Sequence, residues 1–120
     1  MTLSAMQSFK PREYGSFEDA RDTLGEVRGF VVWAVKRFLI GRTSNMKFTV
    51  GGMIAERYWQ EPHPNELGAG NWEESIELPH LVFANDDTLH EDILDFLRSE
   101  KGEVDYLDDG ESTRYTWEVK

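Results

Sequence analysis

The feature that most constrains this fold is an amphipathic segment that runs from residue 88 to residue 100. Its apolar side chains recur every three or four positions, as they do on one face of a helix. Thr88 and Glu91 have the spacing of a capping box, and Gly102 is placed as a C-terminal stop. These signals predict a helix over 88–100 that buries one face in a core.

The segment that follows has the two-residue period of a β-strand. Apolar and polar residues alternate on both sides of Asp109-Gly110, a pair that is typical of tight hairpin turns. We therefore predict a β-hairpin over 103–119. A two-residue turn at 109–110 would place Val104 opposite Tyr115, Tyr106 opposite Thr113, and Asp105 opposite Arg114.

The N-terminal third of the chain carries a second helical stripe. Apolar residues recur over 17–38 at steps of three and four, and Ser16 precedes them as an N-cap. One long helix from 17 to 40 is the main interpretation. The alternative is a helix that ends near Leu24 and a strand over 30–40, because two glycines and many β-branched residues disfavour a continuous helix. The stripe over 17–38 would also permit a homodimer through paired helices.

The middle of the chain predicts short elements around one long loop. Residues 49–58 are interpreted as a short helix, and one or two strands are expected between 74 and 84. Between them, the segment 61–71 is rich in Pro, Gly and Asn. Trp59 and Trp72 bracket this loop and are candidate aromatic anchors for a partner.

The order of these elements predicts the fold class. A chain of 120 residues has the common size of one domain. Helices combined with hairpin-connected strands indicate the α+β class with a small, mostly antiparallel sheet. We predict a single α+β domain over 16–120, preceded by an irregular arm over 1–15.

The residue types exclude several kinds of chemistry. The chain has no cysteine, so disulfides, cysteine nucleophiles and thiolate metal sites are excluded. The histidines, His63, His80 and His90, lack the spacing of metal ligands, and no nucleophile elbow or phosphate-binding glycine loop occurs. We therefore predict no catalytic residue, no metal site and no cofactor.

The hydropathy pattern bears on the compartment. The longest apolar run, over 30–35, has only six residues, whereas a helix needs ~20 to cross a bilayer. The first ten residues lack the pattern of a secretory signal. We expect a cytoplasmic protein with no membrane partner. The overall composition is that of a short acidic chain from a phage, plasmid or toxin-immunity locus, although the sequence contains no motif typical of a particular family.

Charge is distributed unequally between the halves of the chain. The formal net charge is −10; residues 1–60 hold nine basic and six acidic residues, and residues 61–120 hold four basic and seventeen acidic residues. A negative surface repels nucleic acid and attracts basic protein surfaces. The candidate partner-binding residues are Asp87, Glu91, Asp92, Asp95, Asp105, Asp108, Asp109 and Glu111, together with Trp59 and Trp72.

These residues predict a non-enzymatic domain that docks a basic protein surface. An inhibitor or immunity-type protein that imitates nucleic acid, and acts on a nucleic-acid-handling enzyme or a toxin, would have this character. Two alternatives stay open. A winged-helix-like DNA-binding regulator would use the basic residues of the N-terminal half, although the acidic hairpin would repel a phosphate backbone. A small hydrolytic enzyme would need an acidic pocket among the many carboxylates.

Overall fold

The architecture is a five-stranded sheet with helices on one of its faces. The computed structural model describes residues 16–40, 44–62, 64, 68 and 70–119. Its elements are α1 (Phe17–Leu24), α2 (Glu26–Ile40), β1 (Met46–Val50), β2 (Met53–Gln60), β3 (Asn71–Pro79), a 3-10 helix (His80–Phe83), α3 (Leu89–Lys101), β4 (Asp105–Asp108) and β5 (Ser112–Glu118). Neighbouring strands pair antiparallel in the order β1-β2-β3-β5-β4. The predicted α+β class is confirmed.

The connection through α3 determines which strand lies at the sheet edge. β3 leads through the 3-10 helix and α3 to β4, but β5 occupies the place beside β3, so β4 becomes an outer strand. Apolar side chains from alternate sheet positions, among them Ala55, Ile76 and Tyr115, share one core with Phe38 of α2 and Ile93 of α3. The positions on the other face are mainly polar, and no helix in the described part of the chain covers them.

β1 and β2 form a hairpin where the sequence predicts a helix. The prediction of a helix over 49–58 is wrong, because Gly51 and Gly52 form a turn with φ values of 53° and 86°. Both values lie in the left-handed region that glycine adopts easily, so this pair favours a tight hairpin turn. The four-residue spacing of Ile54 and Tyr58, which suggested a helix, also places both residues on one face of a strand.

Two helices are present where one long helix was predicted. α1 ends at Gly25, whose φ of 93° leaves the helical region, and α2 begins at the next residue. The single helix over 17–40 is therefore not confirmed, and the alternative strand over 30–40 is wrong because those residues lie in α2. The predicted cap is confirmed, since the Asp19 amide donates to Ser16 Oγ at 3.2 Å. Much of the apolar stripe on which a homodimer would depend lies in the core of this chain.

Gly29 allows α1 and α2 to approach closely. A Cβ atom at this position would lie 2.7 Å from the backbone N and Cα of Arg21, whereas relaxed carbon contacts are ~3.5–4.0 Å. We expect Gly29→Ala to lower the free energy of unfolding by about 1–3 kcal/mol, because the two helices must separate. Urea denaturation measures the change, with Glu26→Ala at an exposed position of α2 as the control. Helix propensity alone would instead raise the stability by about 1 kcal/mol, and that result would contradict the close packing.

An ion-pair network joins α2 to the start of α3. The guanidinium of Arg28 donates to Asp86 at 2.6 and 3.2 Å and to Asp92 at 2.7 and 3.1 Å. Thr88 belongs to the same network, because its hydroxyl lies 3.3 Å from Asp86 Oδ1, and it makes no capping hydrogen bond. The predicted capping box of Thr88 and Glu91 is therefore wrong, although the helix and its terminal glycine are confirmed.

Arg28 lowers the pKa of Asp86, chiefly through its hydrogen bonds to the carboxylate. A lowered pKa stabilises the fold above the ordinary aspartate pKa of about 4, and this stabilisation is lost as the pH falls through the lower, folded value. We expect Arg28→Met to lower the free energy of unfolding by about 1–2 kcal/mol at pH 7. The effect is modest because Asp86 is 35% exposed and therefore screened by solvent.

Thermal melting at neutral and at acidic pH tests this ion pair. The difference in melting temperature between the unmodified chain and Arg28→Met should shrink below about pH 4, as the Asp86 carboxylate becomes protonated first in the unfolded state and then, at lower pH, in the folded state. A difference that stays constant down to about pH 2.5 would show that Arg28 acts through packing of its aliphatic stem instead.

The C-terminal hairpin is confirmed, but its predicted register is wrong. Asp105 pairs with Thr116 rather than with Arg114, so the two strands are shifted by two residues relative to the prediction. The loop spans 109–111, because Asp109 accepts hydrogen bonds at 2.9 Å from the two backbone amides that follow Gly110. A shift of two residues leaves every side chain on its predicted face.

The remaining predictions concern the segment 74–84, the N-terminal arm, the loop over 61–71 and the absence of a membrane-spanning helix. β3 ends at Pro79, so the segment 74–84 contains one strand followed by a 3-10 helix. The arm over 1–15 and part of the loop over 61–71 lie outside the described residues. Among the residues that the structure describes, no helix has the length and apolar character needed to pass through a membrane.

Candidate partner-binding edge

β4 is a free edge strand that exposes two large apolar side chains. One side of β4 pairs with β5, and its other side pairs with no strand of the described chain. Tyr106 is 50% exposed and Leu107 is 69% exposed, on opposite faces of the strand. Exposed apolar side chains on an unpaired edge are a typical starting point for contact with another protein. β4 is therefore the candidate interface.

Acidic side chains surround these two residues. The acidic edge, as we define it, consists of Glu103, Asp105, Asp108, Asp109 and Glu111. All five are exposed, and the segment 103–111 contains no basic residue. Within the described residues, none of the five makes an ion pair with a lysine or an arginine. The acidic edge therefore presents negative charge around an apolar centre.

Two members of the acidic edge also shape the hairpin loop. Asp108 Oδ1 accepts a hydrogen bond from the Gly110 amide at 2.8 Å, and Asp109 Oδ1 accepts from Ser112 and Glu111 at 2.9 Å. The backbone hydrogen bonds, first the one from Ser112, lower the pKa of Asp109. Asp109 therefore remains ionised to lower pH than an ordinary aspartate, and it combines a structural role with a surface charge.

A carboxylate cleft of about 310 Å³ adjoins the acidic edge at the start of β4. The cleft is lined by Glu73, Glu103, Asp105, Thr116, Trp117 and Glu118. Glu73 and Glu118 lie directly opposite each other on β3 and β5, where like charges repel. Tyr58 relieves part of this repulsion by donating a hydrogen bond to Glu73. Burial and this hydrogen bond raise the pKa of Tyr58 to about 12, so its phenol remains a donor at neutral pH.

Several acidic residues elsewhere on the sheet have basic partners. Glu56 lies 3.7 Å from Arg114 on the open face, and buried Glu74 pairs with Arg57 and Lys101. These pairs compensate the negative charge near the centre of the sheet. Repulsion is therefore concentrated at the acidic edge and in the carboxylate cleft beside it.

α3 borders the acidic edge, and the other predicted acids lie on this helix or just before it. Its His90 contacts Tyr106 of β4, with ring centroids 4.6 Å apart, so the start of the helix lies along the edge. Glu91 and Asp95 are exposed on α3, and Asp87 is exposed just before the helix begins. None of these three forms an ion pair within the described residues, whereas Asp92 is directed to Arg28 and is only 18% exposed.

The two predicted aromatic anchors lie apart from the acidic edge. Trp59 and Trp72 pack edge to face on β2 and β3, with ring centroids 5.3 Å apart. β5 lies between β3 and β4 and so separates them from the edge. Trp72 covers the guanidinium of Arg57 at 4.4 Å, while Trp59 remains 40% exposed. The structure therefore does not bring the tryptophans and the hairpin acids together.

Comparison with known proteins gives no indication of function. Neither a protein-family model, nor a curated protein, nor a solved structure matches this chain. Over the ranges 16–40, 44–62 and 70–119, no group of three or more His, Asp or Glu residues is arranged to hold a metal ion. The edge combines three features that support binding to another protein: negative charge, exposed apolar contact area and an unpaired strand.

Among the described residues, the basic stretch of the N-terminal half does not form a comparable surface. Arg37 packs over the ring of Phe48 at 5.6 Å, and Lys36 is half-buried. Arg42 lies outside the described residues, and Lys47 is exposed on β1. In addition, β5 is an inner strand of the sheet rather than one arm of a projecting wing. This geometry does not favour the DNA-binding alternative.

Sequence reasoning found the acids of the edge but missed its apolar centre. The alternation places Tyr106 in a hairpin strand, and no sequence pattern indicates a binding role for Leu107. The available signal was local: two large apolar residues lie within a run of acids, where a purely solvated loop has no need of them. Glu73 and Glu118 were also missed, because only the pairing of β3 with β5 places them in one cleft.

Proposed function

We propose that this chain is a non-enzymatic binding domain whose acidic edge docks a basic surface of another protein. The observation that carries the proposal is the exposure of Tyr106 and Leu107 on a free strand, surrounded by acids that have no lysine or arginine partner in the described chain. In such an interface the apolar side chains supply affinity, and the charges around them supply orientation and a fast association rate.

The repulsion in the carboxylate cleft beside the acidic edge supports binding over a purely solvating role. Glu73 and Glu118 face each other across two strands, and like charges in that position destabilise a sheet by roughly 0.2–1 kcal/mol. A basic protein that approaches the carboxylate cleft would relieve this repulsion, and the relief would add to the affinity. The acids on the outer face of α3 extend the same negative surface, and we place them at its rim.

The chemistry of the edge suggests a class of partner. An enzyme or toxin that handles nucleic acid carries a basic site for the phosphate backbone, and a negative surface of this kind would cover that site. We therefore propose that the chain acts as an inhibitor or immunity-type protein toward such a partner. Trp59 and Trp72 are not part of the proposed interface.

Capture from a lysate of the source cells tests the proposal, with all bound protein and nucleic acid identified. The unmodified chain is compared with Glu103→Lys/Asp105→Lys and with a control, Glu18→Lys/Asp22→Lys. The control makes the same change of charge on α1, which packs near the β1 side of the sheet. We expect the unmodified and control chains to capture the same basic protein, and the edge variant to lose it. Equal capture by all three chains, recovery of nucleic acid alone, or no capture would contradict the proposal.

A further inference from the structure

A second hollow, which we call the aromatic pocket, opens on the helix side of β4. It has a volume of about 240 Å³. Its lining residues are His80, Phe83, His90, Tyr106, Asp108 and Thr113. They come from the 3-10 helix, α3, β4 and β5, so the pocket exists only when these four elements are assembled. Because these elements are separated in the sequence, no local sequence motif predicts the pocket.

Aromatic rings form the walls of the pocket and hold one another in place. Tyr106 meets His90 edge to face with centroids 4.6 Å apart, and His90 stacks on Tyr115 at 5.7 Å. Nδ1 of His90 also lies 2.8 Å from the Tyr115 hydroxyl, which fixes the orientation of the imidazole. Burial raises the pKa of Tyr115, so this phenol remains neutral. The walls are therefore organised before any ligand arrives.

A carboxylate completes the pocket at its rim. Asp108 belongs to the acidic edge, and its Oδ2 atom lies 3.5 Å from Nε2 of His80. Its side chain is 48% exposed, so a ligand can reach it from solvent. An aromatic wall attracts a cation through the electron density of the ring, and a neighbouring carboxylate attracts it through charge. Among cationic side chains, the planar guanidinium of arginine both stacks on rings and donates two parallel hydrogen bonds to a carboxylate.

We infer that the aromatic pocket binds an arginine side chain of the basic partner. The inference rests on the proposed function, because Tyr106 and Asp108 of the pocket alternate along β4 with Asp105 and Leu107 of the docking surface. The guanidinium stacks on Tyr106 and pairs with Asp108. Leu107, on the opposite face of the strand, makes no contact with it. The partner's arginine thereby anchors the end of β4 that is remote from the carboxylate cleft.

Titration of the full chain with N-acetyl-arginine methylamide tests the inference, with the side-chain NMR signals of His80, His90 and Tyr106 as the readout. We expect saturable shifts with a dissociation constant of roughly 1 mM, as for other ligands of this size that use one side chain. The comparison probes are the lysine analogue and the neutral isostere N-acetyl-citrulline methylamide. We expect weaker binding of the lysine analogue and no saturable shift with citrulline. Equal binding of citrulline, or tighter binding of lysine, would overturn the inference.

Two variants locate the binding in the pocket. Asp108→Asn removes the charge but keeps an acceptor oxygen for the Gly110 amide, so the hairpin loop is retained. We expect it to weaken binding of the arginine analogue at least ten-fold, and Asp22→Asn, the same change at an exposed position of α1, to leave that binding unchanged. Unchanged binding by Asp108→Asn would overturn the inference.

The inference and the proposed function fail in different ways. If the arginine analogue does not bind while the acidic edge still captures a basic protein, only the inference is wrong. If the analogue binds in the pocket while no protein is captured, the proposed function is wrong, and the pocket is a site for a free guanidinium compound.

Discussion

Glu74→Leu should lower the free energy of unfolding by about 3–5 kcal/mol, the largest effect on stability that we expect from one substitution in this chain. Glu74 is 1% exposed. It accepts hydrogen bonds from Trp117 Nε1 at 2.8 Å and from Arg57, and Lys101 Nζ lies 3.1 Å away. Removing the carboxylate takes away the acceptor that Arg57, Lys101 and Trp117 share, and the loss of one member of a buried ion-pair network is strongly unfavourable.

A double variant separates the loss of charge from the loss of packing. Glu74→Leu combined with Arg57→Met replaces the ion pair with apolar side chains of similar length. Because such a replacement is often neutral or stabilising, we expect the double variant to recover part of the stability, with Lys101 and Trp117 Nε1 still lacking the acceptor that Glu74 provides. Urea denaturation measures all three chains. A loss below about 1 kcal/mol in Glu74→Leu, or no recovery in the double variant, would show that the ion pair does not support the core in this way.

Glu103→Lys/Asp105→Lys should weaken binding of the captured basic protein by at least about 100-fold. Close charge pairs in interfaces couple by about 1.5–7 kcal/mol, and every 1.4 kcal/mol is a factor of ten in affinity. The melting temperature should remain constant or rise, because neither acid has an ion pair within the described residues and both line a cleft that holds two further carboxylates. Calorimetric titration and thermal melting of the purified proteins measure both quantities.

Two controls accompany this measurement. Glu18→Lys/Asp22→Lys carries the same change in net charge and should bind as the unmodified chain does. Higher salt should weaken binding of the unmodified chain more than that of the edge variant, since salt screens exposed charges. A loss of affinity that is matched by the α1 control, or that comes with a large fall in melting temperature, would assign the effect to net charge or to unfolding.

Local sequence patterns were sufficient to predict α3 and the C-terminal hairpin. The helix over 89–101 has a clear apolar period and a terminal glycine, and the C-terminal hairpin has strict alternation, so both were predicted. The prediction of a helix over 49–58 was wrong because a four-residue spacing fits one face of a helix and one face of a strand equally well. The main interpretation missed the break at Gly25 for a related reason, since one apolar stripe continues through both helices, whereas the alternative correctly placed a helix end near Leu24.

The buried ion pair shows a second limit of sequence reasoning. Alternation along β3 places Glu74 on the same face as Ile76 and Leu78, and this signal was available. Charged residues are almost never fully buried unless they are paired, and the partner, Arg57, lies on another strand. Only the register of β2 with β3 brings the two side chains together.

The candidate site was predictable in composition but not in position. The run of acids after residue 102 identified the hairpin as a charged surface from the sequence alone. That β4 is the outer strand depends on the insertion of β5 beside β3, which is a long-range pairing with no local signal. Trp59 and Trp72 bracket a loop and were therefore candidate anchors, yet they pack on each other, Trp72 covers Arg57, and Trp59 Nε1 donates to Glu61 of that loop at 3.1 Å.

Hydrogen exchange tests the central claim most directly, because it locates the interface on the chain. Amide exchange is measured for the chain alone and in complex with the purified basic protein obtained by capture. We expect exchange to slow over 103–111, where β4 presents an unpaired edge, and to remain unchanged in α1 and β1. Slower exchange confined to β1, to α1 or to the tryptophan pair, with 103–111 unchanged, would contradict the claim that the acidic edge is the docking surface.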